Sequence, residues 1–255
     1  MAAHRSPPFP ATAFLFFVVA SLNGLRMIAA DTTFTVRPFG GDFSSVQAAL
    51  DSAARDPAQT GHLTLDILGT FRERVVVHAN LTEGVLVVGS GARPLDAMVI
   101  HNTSGNAGGG TFNSYTMRLD APNVTLMNIV VANDANNYNR HIAGQSVALH
   151  LNGGTPAVPQ RVRVLNSSLL GAQDTLYTGS VTSLSYYYNT YINGSVDALF
   201  GESSSVFENC VLEHTDTLTA HKGTQLASGA TTHWATGPGD VTAYLLINCN
   251  VTLGW

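Results

Sequence analysis

Short runs of β-type residues, separated by turn residues, dominate the chain after residue 60. Runs rich in Val, Ile and Leu, such as "LTLDIL", "RVVVH" and "VLVVGS", are bounded by Gly, Asn, Pro or Asp. Runs of this length and composition are typical of β-strands. No long helical period follows them, so the pattern predicts an all-β fold. A sandwich or a barrel would contain strands of the same length, so the spacing of the runs has to distinguish the architectures.

One helix is predicted before the strands. The stretch "SSVQAALDSAARD" places Val46, Leu50 and Ala53 on one face, which is the spacing of an amphipathic helix. Ser44, followed three residues later by Gln47, has the pattern of a capping box. The sequence therefore predicts one short helix that begins after Ser44.

An asparagine recurs within five β-type runs, at Asn128, Asn166, Asn189, Asn209 and Asn248. These residues are roughly 20 or 40 residues apart, which is the coil length of a parallel β-helix with some long loops. Asn suits a sharp turn because it tolerates left-handed backbone and can hydrogen-bond to its copy in the next coil. We therefore interpret the chain as a parallel β-helix, a solenoid of single-stranded coils. Chance recurrence of a common residue is the simpler alternative.

Two aspartates keep a constant spacing from these asparagines. Asp174 lies eight residues after Asn166, and Asp197 lies eight residues after Asn189. If the asparagines stack, the aspartates occupy equivalent positions on adjacent coils, about 4.8 Å apart. Two carboxyl groups that close cannot both ionise cheaply, so we expect one protonated acid and one carboxylate. Such a pair suits acid/base and nucleophilic chemistry, whereas a structural pair of surface aspartates is the alternative.

Amide and aromatic side chains near the aspartates are candidates for the same site. Gln173 precedes Asp174, and Gln145 is expected one coil earlier. Amide N–H groups can stabilise a developing oxyanion without adding charge. Each aromatic residue alone is more often part of a core, but four of them are candidates for a surface that stacks on sugar rings: Tyr177, Phe200, Tyr186 and Tyr187.

Composition excludes several other functions. The formal net charge is −5, only 11% of the residues are charged, and Lys222 is the sole lysine, so nucleic acid is not an expected partner. The histidines are scattered without metal-ligand spacing, and we expect no metal site. Serine-hydrolase, P-loop and dinucleotide motifs are missing as well, and we expect no cofactor.

The first thirty residues have the pattern of a secretory signal peptide. His4 and Arg5 precede the apolar run "ATAFLFFVVASL", and small residues lead to a cleavage point before Asp31. A membrane anchor is the alternative, but about 12 apolar residues are too few to span a bilayer. We therefore divide the chain into a signal peptide at 1–30 and one catalytic domain at 31–255, secreted and free of the membrane after cleavage. Six glycosylation sequons agree with secretion: Asn80, Asn102, Asn123, Asn166, Asn193 and Asn250.

Four motifs in order resemble those of the pectinesterases (pectin methylesterases). "QDTLY" at 173–177 matches the family motif without change, and "VDALFG" at 196–201 resembles V-D-F-I-F-G. "QSVAL" at 145–149 resembles Q-A-V-A-L, and "GTFRE" at 69–73 resembles G-x-Y-x-E. The resemblance runs from about Phe39 to the end, and "GGDFSSVQAAL" resembles the family's N-terminal capping helix. It implies a right-handed parallel β-helix and extracellular demethylation of homogalacturonan (pectin) in the cell wall.

The resemblance also implies roles for the candidate residues. Asp197 matches the nucleophile, Asp174 the general acid and base, and Gln173 and Gln145 the amides that stabilise the oxyanion. The implied substrate-binding aromatics are Tyr177, Phe200 and Trp255. Cys210 and Cys249 lie where plant members often carry a disulfide, although two buried thiols are the alternative. A monomer without metal or cofactor, bound in some settings by a proteinaceous inhibitor, completes the expectation.

The end of the chain departs from the family. The family motif L-G-R-P-W supplies an arginine that pairs with the nucleophilic aspartate, whereas this chain reads "TLGW", with Leu253, Gly254 and Trp255 in the matching places. We also expect the last coils of the family's solenoid to be missing. These departures leave two alternatives to an active esterase: a weakened or inactive pectin-binding remnant, and a β-helix polysaccharide hydrolase or lyase.

Overall fold

The computed structural model describes residues 31–136, 144–215, 226–228 and 243–253. Within these ranges the chain forms three parallel sheets, which are the three faces of a β-helix. Each coil contributes one strand to each sheet in turn, so strands that are neighbours in a sheet belong to successive coils. The prediction of a parallel β-helix is confirmed.

The strands have the following bounds. The first sheet holds eight: β1 (Thr32–Val36), β2 (Leu63–Ile67), β5 (Val85–Gly89), β8 (Asn123–Met127), β11 (Gln160–Leu165), β14 (Ser183–Tyr188), β17 (Ser204–Glu208) and β20 (Ala243–Ile247). The second holds seven: β3 (Gly69–Arg72), β6 (Ala97–His101), β9 (Val130–Asn133), β12 (Ser168–Leu170), β15 (Tyr191–Gly194), β18 (Val211–His214) and β21 (Asn250–Leu253). The third holds six: β4 (Val75–Val77), β7 (Met117–Leu119), β10 (Leu149–Leu151), β13 (Leu176–Tyr177), β16 (Leu199–Gly201) and β19 (Leu226–Ser228).

The repeated asparagines form the turn between the first and second sheets. All five have left-handed backbone, with φ between 47° and 54°. The Asn189 side chain donates to Oδ1 of Asn166 at 2.9 Å, so the amides of adjacent coils hydrogen-bond to each other. We call this corner the asparagine ladder. It confirms that the recurrence of Asn marks the coil and is not chance.

The core consists of columns of apolar side chains that stack from coil to coil. One column on the first sheet runs in register through fully buried residues: Leu65, Val87, Leu126, Val164, Tyr187 and Phe207. The rings of Tyr187 and Phe207 lie nearly parallel, with centroids 4.5 Å apart. Burial of each large apolar side chain contributes about 1.5–3 kcal/mol. Tyr187 is therefore a core residue and not the sugar-stacking residue that the sequence suggested.

Helix α1 (Val46–Arg55) packs on the start of the β-helix through Val46, Ala49, Leu50 and Ala53. Its N-cap is Ser45, whose Oγ accepts from Ala48 N at 3.1 Å, so the predicted start at Ser44 is wrong by one residue. The second half of the cap comes from Glu73, the acid of "GTFRE", whose carboxylate accepts from Val46 N at 2.7 Å and Gln47 N at 3.2 Å. A distant acid replaces the predicted capping box because β3 ends beside the helix.

The other helical elements are short: α2 (Gly105–Gly108) and two 3₁₀ turns at Pro94–Asp96 and Thr111–Asn113. In the described ranges, no helix is long and apolar enough to cross a membrane.

Cys210 and Cys249 follow ladder asparagines on successive coils. Both are free thiols in the structure, and Cys210 is buried. Burial raises the pKa of the Cys210 thiol to about 11. The disulfide between them stays a prediction.

Candidate active site

Asp174 and Asp197 lie in the turns between the second and third sheets on adjacent coils. Both have left-handed backbone, with φ of 63° and 49°, which Asp adopts more readily than most residues. Leu176 pairs with Leu199 in the register of β13 and β16, so the two aspartates occupy equivalent positions. A hydrogen bond from Asp174 N to Val196 O (2.9 Å) joins the turns. The structure therefore brings the two predicted carboxyl groups together.

The environments of the two carboxyl groups differ. Asp174 is buried, with 6% of its surface exposed, whereas Asp197 is half-buried. Burial and then the charge of Asp197 raise the pKa of Asp174 from 3.8 to about 7, against hydrogen bonds from Thr111 and Gln173. Burial also raises the pKa of Asp197. Because Asp174 loses more solvation, it is the member that keeps the proton while Asp197 ionises.

The two predicted glutamines lie on adjacent coils. Gln173 directly precedes Asp174, and its side chain lowers the pKa of that carboxyl group. Ser146 N donates to Gln173 O at 2.8 Å, which places Gln145 on the coil directly before. Both glutamine side chains are half-buried. The structure thus brings the two glutamines to neighbouring positions, and their role as oxyanion donors stays a prediction.

A row of side chains on the outer face of the third sheet leads away from the aspartates. It consists of Arg118, His150, Tyr177 and Phe200, which pair in register across β7, β10, β13 and β16. The ring centroids of His150 and Tyr177, and of Tyr177 and Phe200, are each 4.9 Å apart. Tyr177 and Phe200 are half-buried. Of the predicted aromatic residues, Tyr177 and Phe200 therefore lie in one row with His150. Tyr186 lies on the first sheet, away from this row. Trp255 lies outside the described residues.

Sequence reasoning missed two residues of this surface. Phe112 lies in the loop between β6 and β7 and is 54% exposed. Its ring centroid is 5.0 Å from that of Tyr177. His150 is 4% exposed, and burial, followed by the charge of Arg118, lowers its pKa to about 4, so it is neutral at pH 7. His150 directly follows "QSVAL" on the strand before Tyr177, so stacking of successive coils would have found it. No sequence signal pointed to Phe112.

Positive charge beside the aspartates is missing from the described part of the chain. The arginine ion pairs there are formed with other aspartates; Arg118, for example, pairs with Asp120 at 2.8 Å and Arg72 with Asp134 at 2.7 Å. Among the same residues, no group of three or more His, Cys, Asp or Glu side chains has metal-binding geometry. Ionisation of Asp197 therefore relies on its partial exposure to solvent.

Fold and site together define a parallel β-helix protein with a two-carboxyl site. The family model named Pectinesterase matches residues 34–253, so the chain belongs to the pectinesterase family.

Relatives and solved structures agree with this assignment. A pectinesterase from Sitophilus oryzae is 28% identical over 230 residues, covering 76% of this chain and 58% of the relative. Pectinesterase 3 from Solanum lycopersicum is 29% identical over 185 residues, covering 72% and 30%. A pectin methylesterase from carrot superposes with a TM-score of 0.71 at 21% identity, covering 86% of this chain and 62% of that one. The rice weevil enzyme superposes with a TM-score of 0.68 at 24% identity, covering 97% and 73%. The chain thus spans 58% or less of the length of these two curated relatives.

Proposed function

We propose that this chain is a pectin methylesterase, a carboxylic ester hydrolase that releases methanol from methyl-esterified homogalacturonan. The observation that carries the proposal is the stacked pair of aspartates, one buried with a pKa of about 7 and one half-buried. Ester cleavage needs a nucleophile and a proton donor within reach of one carbonyl, and this pair supplies both.

In the proposed mechanism Asp197 is the nucleophile. Its carboxylate attacks the ester carbonyl and forms a tetrahedral intermediate, whose oxyanion accepts hydrogen bonds from the amides of Gln145 and Gln173. The C–O bond to the methoxy group then breaks, and Asp174 gives its proton to the departing methanol. Water attacks the resulting acyl-enzyme while Asp174, now ionised, takes the proton. Release of the free acid restores Asp197, so each proton is returned within the cycle.

Substrate binding is proposed along the aromatic row. Tyr177 and Phe200 present partly exposed ring faces beside the carboxyl pair, and sugar rings stack on such surfaces. A pectin methylesterase of the same fold was solved in complex with a hexasaccharide, with a TM-score of 0.67 and 22% identity to this chain. A chain of galacturonate units lying across Tyr177 and Phe200 would bring one methyl ester to Asp197.

Secretion, glycosylation and inhibition by another protein are further parts of the proposal. Residues 1–30 are proposed as a cleaved signal peptide, and the exposed sequons Asn80 and Asn102 as glycan acceptors. Asn193 is buried and has no room for a glycan. A relative from Arabidopsis thaliana carries a name that joins pectinesterase to pectinesterase inhibitor, and it is 30% identical over 189 residues, with 74% of this chain and 32% of the relative covered. Partner inhibition of this chain is proposed on that basis.

A second candidate is a pectin-binding β-helix without turnover. It is favoured by one observation: no ion pair among the described residues holds Asp197 in its ionised form.

Methanol release from highly methylated pectin distinguishes the two candidates. The full chain is expressed through a secretory host, its N-terminus is sequenced, and methanol and new reducing ends are both measured. Methanol without reducing ends is expected for the esterase. Reducing ends would identify a glycosidase or lyase instead. Binding to pectin with neither product would support the second candidate and refute turnover.

A further inference from the structure

The loop at 104–113 reaches the predicted catalytic groups although it carries none of them. It contains α2 and the 3₁₀ turn Thr111–Asn113, between β6 and β7. At one end Gly105 N donates to Gln145 O at 2.7 Å. At the other end the ring of Phe112 packs on Tyr177, with ring centroids 5.0 Å apart. The two ends of this loop therefore contact two different parts of the site.

Gly105 gives the Gln145 side chain its space. A Cβ at position 105 would lie 2.3 Å from Gln145 Oε1, which is far inside van der Waals contact, and 3.3 Å from Gln145 Cβ, which is a tight contact. Gly105 is buried in the first turn of α2 and does not have left-handed backbone. Glycine is therefore needed here for room and not for a backbone angle. Any larger residue would push the Gln145 amide from its position.

Ser114 fixes the turn at the other end of the loop. Its N and Oγ donate to Thr111 O at 3.0 and 2.8 Å. Phe112, in the same turn, packs on Tyr177. The turn is thus held by its own backbone and by the aromatic row together.

Asn133 anchors both ends of the loop. It is fully buried, and its Nδ2 donates to Thr103 O at 2.9 Å and to Ser114 O at 2.6 Å, the residues that flank the loop. The same nitrogen lies 3.2 Å from Val147 O, two residues after Gln145. One side chain therefore ties the loop to the strand that begins at the site.

We propose that the loop at 104–113 is a positioning element of the active site, in which Gly105 orients the Gln145 amide. The inference rests on the proposed function for its kinetic consequences, but the contact also has a readout that does not require activity. If the parent releases no methanol, the proposed function fails while that readout still decides the contact.

The Gly105 contact is tested by a double-mutant cycle with Gln145→Ala. Gly105→Ala should lower kcat by about 10²-fold, the effect of losing one oxyanion donor, with KM within about twofold. In the Gln145→Ala background the same change should cost less than about twofold, because the displaced group is gone. Melting temperatures of the four proteins give the same coupling without activity. Additive effects in both readouts would show that Gly105 does not act through Gln145.

Discussion

The two turns on either side of the second sheet share left-handed backbone but carry side chains of different chemistry. Asn166 and Asn189 form one corner, and Asp174 and Asp197 form the next, all with left-handed φ between 47° and 63°. Asn166 and Asn189 are exposed, and the Asn189 side chain donates to that of Asn166 at 2.9 Å. The aspartates are more buried, and the charge of Asp197 raises the pKa of Asp174.

The difference between the corners is chemical and not geometric. An amide is both donor and acceptor, so a stack of amides satisfies itself. Two ionised carboxylates are only acceptors, so a stack of them needs a proton or outside donors. The asparagine corner therefore stabilises the solenoid, whereas the aspartate corner gives up stability, in exchange for the reactivity that we propose.

Exchange of acid for amide at the aspartate corner should have the largest effect. Asp197→Asn removes the nucleophile and should lower kcat by about 10⁴-fold or more. Asp174→Asn removes the proton donor and should cost about 10²–10⁴-fold. Both variants keep a residue that tolerates left-handed backbone, so circular dichroism should match the parent.

The matched control is Asn189→Asp, which places a carboxyl group at the other corner of the same coil. Methanol release should stay within about twofold of the parent, because this side chain is exposed and far from the aromatic row. Full activity in either aspartate variant would contradict the two-carboxyl mechanism.

The second-largest effect is expected in the pH dependence of kcat/KM, which should depend on the aspartate corner and not on the asparagine corner. Asp174 must be protonated to donate to methanol, and its pKa is about 7. Activity should therefore fall about tenfold per pH unit above pH 7. Asn189→Asp should leave that limb unchanged. A profile that stays flat to pH 9 would assign the proton donation to another group.

Stability should respond to pH in the same region. The folded pKa of Asp174 lies above the unfolded value of 3.8, so its stabilising effect is complete below pH 3.8 and is lost as the pH rises through about 7. Asp174→Asn should therefore be more stable than the parent at pH 8, on the order of 3 kcal/mol, and should lose this advantage at pH 4. Urea unfolding at the two pH values measures the difference. Equal differences at both pH values would contradict the raised pKa.

Loss of the hydrogen bond between Asn189 and Asn166 should have the smallest effect, and this effect should be on stability alone. Asn189→Leu places a branched residue in left-handed backbone and removes the bond to Asn166, at a cost of about 1–2 kcal/mol. Asn189→Gly loses the bond without the backbone strain, so the two variants together separate the contributions in thermal melts. Methanol release at 25 °C should be unchanged in both. A loss of activity would mean that the corners are coupled.

The sequence repeat predicted those site residues that occupy equivalent positions in successive coils. The equal offsets of Asp174 and Asp197 from their asparagines predicted that the two carboxyl groups lie together, because residues at equal offsets stack in a solenoid. The same logic applied to the strand after "QSVAL" would have added His150. It could not show which carboxyl keeps the proton, because that depends on the burial of Asp174.

The parts that sequence missed belong to loops and to distant contacts. Gly105, Thr111 and Phe112 lie in an insertion between β6 and β7, where no repeat fixes position. The Ser44 capping box was wrong because Glu73, 28 residues from Ser45, provides the cap instead. Local pattern cannot reveal a partner that only the coiling of the chain brings near.

The left-handed backbone at the two aspartates also limits how the protein can vary. Only Gly, Asn and Asp fit such a position with little strain, and in the genetic code a single base change converts an Asp codon into one for Asn or Gly. Loss of chemistry with retention of the solenoid is therefore one nucleotide away at either position. A lineage with this architecture can pass from enzyme to carbohydrate-binding protein, and back, without going through an unfolded intermediate.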